Sequence, residues 1–453
     1  METSLSFASK YKLSEAPQDK VRVAGTCLGC KVNQVETFSL LEAWAQKGAQ
    51  IVPFKAQADI YLVNTCAVTA RAAYESRQLL RRALKKNPLL VVATGCYVQV
   101  SPEEILERVG APLLLVGNAL KENIPHIVEK LTLPLSEPVV LREDVSQLTK
   151  CGLFPLSFFP GHARAFLRIQ EGCNAFCTYC IVPHARGPAR SLLPEEVVSQ
   201  ALRFVNAGHK EIVLTGTHLG LWGKDLSAGQ GLIQLLRVLE KKVPVRLRLS
   251  SLEPPEVTQE LLTWAVSSPK FCPHFHLSLQ SGDEEVLKAM GRRYTAWEVR
   301  DLVYDIKKLF PQAAIGMDVI VGFPKEDEEA FGRTVALLED LPISYLHVFR
   351  YSPRPFTPAA RWRQIPPDKI AARAKRLQGL SRAKFKAFMV ENLGRVLQVL
   401  VQKRDKNTGL WQGISENYLS VLFAGPPDLQ NKIVSVRLAR VVNNKAYGVL
   451  ERG

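Results

Sequence analysis

The sequence predicts an α/β protein in three parts: an open parallel sheet, a partial (β/α)6 barrel and a small C-terminal β-barrel. Three observations carry this prediction. Short β-rich runs alternate with helical patterns between residues 21 and 117, and a second, longer alternation follows between 165 and 349. After residue 395 the runs become short, β-like and separated by turn residues, the pattern of a closed barrel of about sixty residues.

In the first series the strands read as 21–26, 59–65, 89–95 and 113–117, with helices over 33–47, 70–86, 102–109 and 120–130. The stretch 131–161 carries Pro and little periodicity and reads as a linker. The second series places strands at 165–169, 211–215, 245–249, 275–279, 315–321 and 345–349, with helical stretches such as 194–207 and 295–310 between them. A basic helix over 369–393 then leads into β-like runs at 396–402, 418–423, 433–442 and 447–450. Asn407, Gly409, Gly425, Pro426, Pro427, Asn443 and Asn444 mark the turns between them. The parts divide at 20–130, 155–388 and 391–453.

Composition narrows the function classes. The chain has 453 residues, 47% apolar and 23% charged, and no stretch approaches the roughly 18 uncharged apolar residues that cross a bilayer. The first twenty residues hold no apolar block of signal-peptide length, so the chain reads as cytoplasmic, with no membrane partner. Lys and Arg number 59 against 43 Asp and Glu, a net charge of +16 that attracts polyanions. From Arg361 onward there are 18 Lys and Arg against 6 Asp and Glu, which makes this end the nucleic-acid candidate; a solvated basic surface is the alternative.

Nine cysteines without a secretion signal point to metal or catalysis rather than disulfides. Cys30, Cys66 and Cys96 each follow one of the first three strands, whose carboxyl ends share one edge of an open sheet. Three thiols distant in sequence could meet there, although buried Cys is also a common small core residue. The strongest pattern is Cys173-Asn174-Ala175-Phe176-Cys177-Thr178-Tyr179-Cys180, a C-x3-C-x2-C loop directly after the first strand of the second series. Three thiolates on a short loop can hold three irons of a cubane and leave the fourth open; a zinc site would need a further ligand such as His184.

This loop on a partial barrel resembles the radical S-adenosylmethionine superfamily. The resemblance implies that S-adenosylmethionine binds the open iron and is cleaved by one electron to methionine and a 5′-deoxyadenosyl radical. Tyr179 matches the aromatic position beside the adenine. The other strand ends suit the same cofactor. Thr215, Gly216 and Thr217 offer backbone groups and hydroxyls to the methionine amino group, and Ser251 and Glu253 offer hydroxyl and carboxylate to the ribose. Gln280 and Val321 sit in the loops that end the fourth and fifth strands. Taken singly, each of these also reads as ordinary turn chemistry.

The segments Leu28-Gly29-Cys30-Lys31-Val32-Asn33, Asn64-Thr65-Cys66-Ala67-Val68-Thr69 and Thr94-Gly95-Cys96-Tyr97-Val98-Gln99 narrow the resemblance to the methylthiotransferases. That family implies a flavodoxin-like N-terminal domain whose three Cys hold a second [4Fe-4S] cluster, and a C-terminal TRAM barrel that binds RNA. The first segment is most similar to the branch acting on N6-threonylcarbamoyladenosine in transfer RNA. The implied reaction replaces the C2–H of that base, next to the anticodon, by C–S–CH3, with an external electron donor and a sulfur donor the sequence does not name. No catalytic residue beyond the clusters is implied. Lys403, Arg404, Lys406, Arg437, Arg440 and Lys445 are the candidates for tracking phosphates, and the basic run 77–86 could add contacts. Lys31 and Arg186, on the two cluster loops, are the candidate cations for the threonyl carboxylate.

Rival readings are methylthiolation of isopentenyladenosine in transfer RNA or of a ribosomal protein side chain, or, outside enzymes, an iron-sulfur RNA-binding sensor. The strand-end motifs argue against the sensor. Cys27, Asp283, Lys325 and Phe356 depart from the family pattern, and Cys151 and Cys272 match no motif.

Overall fold

The structure is a computed structural model that describes residues 20–226 and 230–451. The opening stretch read above for targeting signals lies, through residue 19, outside the described residues.

The first sheet contains β1 (Arg22–Cys27), β2 (Gln50–Val52), β3 (Ile60–Thr65), β4 (Leu90–Gly95), β5 (Leu114–Val116) and β6 (Val139–Leu141), in the order β2-β1-β3-β4-β5-β6. Every pairing is parallel. Strands β3, β4 and β5 are buried along their whole length, which is why they read as continuous apolar runs rather than alternating ones. Two expectations are corrected here. The stretch expected to be a linker supplies β6, a three-residue edge strand too short to carry a period. The single helix expected over 120–130 is a 3-10 turn, Asn118–Asn123, followed by a short helix, Ile124–Glu129, that restarts at Pro125.

The second part contains β7 (Arg164–Glu171), β8 (Arg190–Ser191), β9 (Glu211–Gly216), β10 (Arg246–Leu249), β11 (His274–Gln280), β12 (Ala314–Val321) and β13 (Tyr345–Arg350). Two sheets, β10-β9-β7-β8 and β11-β12-β13, are joined by bridges at Leu247–Phe271 and Leu252–Leu277. The six parallel strands thus curl into a partial barrel, with β8 antiparallel on β7. Alternation decides the two faces. Ile212, Leu214, Phe275, Leu277, Leu279, Ile315, Met317 and Val319 pack outward under the helices, while Glu211, Arg248, His274, His276, Asp318, Tyr345 and His347 share the opposite, lumenal face.

The helix Lys31–Gln46 docks the first part on the second. Its Val35 joins the barrel's core, Ser39 donates to the Pro155 carbonyl at 2.7 Å, and Glu42 accepts from the Ser157 amide at 2.9 Å.

After the helix Pro367–Glu391, five strands close the third part: β14 (Val396–Arg404), β15 (Trp411–Ser415), β16 (Ser420–Phe423), β17 (Ile433–Val442) and β18 (Lys445–Leu450). The sequence reading found four of them. It missed β15, which lies between two turns and carries Gly413 at its centre, where a Cβ would meet Val399 at 2.4 Å. This small barrel caps the floor of the larger one. Arg246 Nη1 donates to the Gln398 carbonyl at 2.7 Å, Arg248 Nη2 to the Ser415 carbonyl at 3.1 Å, and Tyr418 stacks on His274 with centroids 4.1 Å apart. No described helix is long and apolar enough to cross a membrane.

Candidate active site between two cysteine sets

Glycine makes both cysteine loops possible. Gly29 has φ +91° and a Cβ there would sit 2.8 Å from Cys66 Sγ, so Cys30 and Cys66 approach only across a bare backbone. Gly172, at φ +76°, lies where a Cβ would overlap the Pro188 carbonyl at 1.8 Å, which turns the chain from β7 into the loop of Cys173, Cys177 and Cys180.

Cys30, Cys66 and Cys96 are brought together at the carboxyl edge of the first sheet, close enough that the first two thiols both feel Cys96 and Cys66 also feels Cys30. Burial pushes the Cys66 thiol up to about 12 and raises that of Cys30. The second set behaves likewise. Burial raises Cys177 and takes Cys180 up to about 12, and both thiols feel Cys173. Buried thiolates of this kind are stable beside a soft cation and costly without one. Both donor sets, three sulfurs each, fit an iron-sulfur cluster.

Around the second set the structure reveals three residues the sequence reading passed over. His218 Nδ1 lies 3.2 Å from Cys173 Sγ and its Nε2 lies 2.6 Å from Glu256. Burial opposes a charge on this ring, but Cys173 and Glu256 outweigh it and raise its pKa to about 10. Arg292 donates to the Tyr179 hydroxyl and to Glu253, and so joins two of the expected cofactor-binding residues from different strand ends. Its Nε is buried without a partner. The Arg292-Arg293 pair after Gly291 was the visible signal, since a carboxylate at Glu253 needs a counter-charge.

The remaining expected cofactor residues lie on the same rim. Thr215 is buried at the end of β9, a Cβ at Gly216 would meet Gln170 at 2.9 Å, and Thr217 Oγ1 is buried without a partner. Ser251 follows β10, and Val321 is fully buried at the end of β12. Gln280 holds φ +66° at the end of β11, a left-handed conformation that a non-glycine residue keeps at a cost of about 1–2 kcal/mol.

A buried ion network fixes the two loops relative to each other. Glu36, fully buried, accepts from Arg186 Nη1 at 2.7 Å and from Lys121 at 2.7 Å; Arg186 also donates to Glu171 at 2.6 Å and to Asn33 at 2.6 Å. Arg168 closes the network on Glu171 at 2.6 Å. Arg186 is therefore a correction to the expected substrate cation: Glu36 and Glu171 already engage it, and it serves the junction. Lys31 is different. Its ammonium points into the lumen, 5.9 Å from the centre of the Phe166 ring, with no ion-pair partner among the described residues.

The six basic residues expected to track phosphates are all exposed but form two groups. Antiparallel pairing of β14 with β17 sets Val396 opposite Arg437 and Leu400 opposite Ile433. Lys403, Arg404 and Lys406 lie at and just past the end of β14, and Arg437, Arg440 and Lys445 lie on the β17–β18 hairpin, where Lys445 is close enough for Asp405 to feel its charge. Arg437 is paired with Glu451 at 2.6 Å, and Arg440 lies over Tyr447. In the run 77–86, Arg77 is buried and bonded to Tyr97 and Glu104, so this charge supports the helix rather than a partner.

The chain matches the Radical SAM superfamily over residues 167–338 and Uncharacterized protein family UPF0004 over residues 22–117. It is 40% identical over 92% of its length to the whole of "Threonylcarbamoyladenosine tRNA methylthiotransferase MtaB" of Aquifex aeolicus, and 38% identical over 92% to 94% of the protein of that name from Bacillus subtilis. The chain belongs to the radical S-adenosylmethionine methylthiotransferase family. A methylthiotransferase of another title, the "tRNA-2-methylthio-N(6)-dimethylallyladenosine synthase" of Erythrobacter litoralis, is 32% identical over 93% of the chain and 95% of its own length. Among solved structures, the radical S-adenosylmethionine methyltransferase TsrM of Kitasatospora setae shares the fold at TM-score 0.56 and 15% identity, over 75% of this chain and 77% of that one.

As a radical S-adenosylmethionine methylthiotransferase, the protein is an enzyme, and membership implies S-adenosylmethionine and a [4Fe-4S] cluster. The residues present fit both. Cys173, Cys177 and Cys180 offer three sulfur donors on one loop, and Arg292 ties Tyr179 of that loop to Glu253 at a neighbouring strand end.

Proposed function

We propose that this methylthiotransferase converts N6-threonylcarbamoyladenosine next to the anticodon of transfer RNA into its 2-methylthio derivative. The observation that carries the reading is the pair of three-cysteine sets linked through Arg186, which follows the second set, is bonded to Glu36 and Glu171, and is felt by Cys30 and Cys66. The choice of nucleoside is supported by the names of the Aquifex aeolicus and Bacillus subtilis relatives, at 40% and 38% identity.

In this reading Cys173, Cys177 and Cys180 hold one [4Fe-4S] cluster and Cys30, Cys66 and Cys96 a second. When bound, the first supplies the electron that cleaves S-adenosylmethionine and the second a site for the transferred sulfur. The chain's own residues do the rest. Tyr179 and Glu253, tied by Arg292, hold the adenosine half of S-adenosylmethionine; Thr215, Gly216, Thr217 and Ser251 line its polar end, while Gln280 and Val321 close the rim. Cys66, Cys96 and Cys177 are buried, which keeps water from a reaction that water would quench. Lys403, Arg404, Lys406, Arg437, Arg440 and Lys445 contact RNA phosphates, and the target base is splayed from its single-stranded loop into the cleft.

Cells that lack the protein test the reading. Mass spectrometry of their transfer RNA nucleosides is expected to show no 2-methylthio-N6-threonylcarbamoyladenosine and more of its precursor. An unchanged 2-methylthio nucleoside contradicts it.

A further inference from the structure

The lumen of the larger barrel has more positive charge than its own carboxylates neutralise. At its floor Glu211 alone accepts from Arg246 at 2.6 Å and from Arg248 at 2.7 Å, with Arg164 at 3.8 Å. Arg164 Nε, Arg246 Nε, Arg248 Nη1 and His274 Nδ1 are buried without partners. Lys31 enters from the cysteine loop above, with Arg164, Asp318 and Tyr418 among the groups its ammonium feels. One layer up, Asp318 Oδ1 accepts from His276 Nε2 at 2.7 Å and lies 3.3 Å from His347 Nδ1. The Tyr345 hydroxyl bridges His276 at 3.0 Å and His274 at 2.8 Å.

These side chains form a floor beneath the cofactor rim. Asp318 precedes Val321 by three positions along β12, which places it roughly 10 Å below the strand ends. His347, 53% exposed, opens this level to solvent on the β13 side. The atoms of His276, Asp318 and His347 lie within 4.8 Å of one another, a spacing that would also suit a metal ion. The cations Lys31 and Arg164 disfavour that occupant and favour an anion.

We propose that this lumen is the receptor for the threonylcarbamoyl group of the base, with Lys31 taking its carboxylate and Asp318 Oδ2 accepting from its hydroxyl or ureido N–H. The inference rests on the substrate reading above and names what makes that substrate preferred. Asp318 Oδ2 accepts from no described residue, while the two histidines on Oδ1 hold the carboxylate ionised and oriented. An isopentenyl group offers neither a charge to Lys31 nor a donor to Asp318, and it would leave both desolvated and unpaired. Lys31 directly follows Cys30, so the same turn that presents the thiol also presents the ammonium.

The test uses two anticodon stem-loop RNAs, one bearing N6-threonylcarbamoyladenosine and one bearing its carboxamide, which lacks only the negative charge. Affinities for reconstituted enzyme are read by fluorescence anisotropy with S-adenosylmethionine and no reductant, so turnover plays no part. The phosphate contribution is common to both RNAs and cancels in the ratio. Native protein is expected to bind the acid at least tenfold more tightly. Lys31→Met brings the ratio to about one, and Asp318→Asn weakens both RNAs while the ratio stays. A Lys31→Met variant that keeps the native ratio overturns the proposal, as does equal binding of acid and amide by native protein. With reductant added, methylthiolation of isopentenyl RNA alone overturns the substrate reading itself, and this inference with it.

Discussion

Arg292 ties the phenol of Tyr179 to the carboxylate of Glu253, and its aliphatic stem carries the charge into a site where Nε remains unpartnered. Lys cannot span both partners, because its ammonium is a single point where guanidinium is a fork. Losing one charge-assisted bond is worth about 1.5–3 kcal/mol, so Arg292→Lys is expected to weaken S-adenosylmethionine roughly ten- to hundredfold with iron content unchanged. Equilibrium dialysis against labelled S-adenosylmethionine checks this, and an unaltered Kd contradicts it. Phe356 stands where the family pattern has Gly, and the structure explains the pattern: φ is +67° and the ring is 64% exposed. Phe356→Gly relieves the left-handed strain, offset in part by chain entropy, and is expected to raise the Tm by about one to three degrees. A lower Tm would show that the contact of this ring with His184 matters more than the strain.

At the scale of elements, the small barrel is both an RNA-binding candidate and the cap on the catalytic barrel's floor. Deleting it would uncover Arg246, Arg248 and His274, so charge substitution is the cleaner probe of RNA binding. Lys403 and Lys406 have no ion-pair partner among the described residues, whereas Arg437 is paired with Glu451. Replacing Lys403, Arg404 and Lys406 by Ala is therefore expected to flatten the log–log salt dependence of transfer RNA binding by about two to three units. The matching substitutions at Arg437, Arg440 and Lys445 should flatten it less, and the reverse order would move the RNA track to the β17–β18 hairpin. The sequence made most elements legible because long apolar runs such as 89–95 and 315–321 announce buried parallel strands. It left out β2, β6, β8 and β15, which are two to five residues long and hold no period. The barrel cysteines announce themselves by their C-x3-C-x2-C spacing, and Cys30, Cys66 and Cys96 by their places after successive strands. His218 and Glu256 were not legible, because each acquires its role only when separate strand ends meet, and Arg292 left only the Arg292-Arg293 pair as a signal.

At the scale of the molecule, the Glu36–Arg186–Glu171 network holds two domains so that their cysteine loops face. Arg186→Met takes the shared cation from two buried carboxylates, leaving Glu36 to Lys121 and Glu171 to Arg168, and at a cost of about 3–5 kcal/mol should lower the Tm markedly. A second buried network sets the acid limit. Burial would raise the Glu211 carboxyl, but Arg248 and Arg246 outweigh it and hold it near about 2. Its folded value lies below the unfolded value of about 4.3, so its stabilisation is complete above that pH and fades as pH falls toward 2. The Tm gap between native protein and Glu211→Gln should therefore narrow from pH 5 downward, and a gap that widens would reverse the sign. Two clusters on separate loops also predict that replacing Cys173, Cys177 and Cys180 by Ala leaves about half the iron of the anaerobically reconstituted enzyme. Unchanged iron would remove the barrel loop from the account.

The central claim is that both loops serve one reaction on one nucleoside. Reconstituted enzyme, S-adenosylmethionine and reductant are incubated with transfer RNA bearing either N6-threonylcarbamoyladenosine or isopentenyladenosine, and the nucleosides are read by mass spectrometry. The account predicts the 2-methylthio derivative of the first and none of the second. Modification of the isopentenyl substrate alone, or of neither RNA by enzyme that cleaves S-adenosylmethionine, would contradict it.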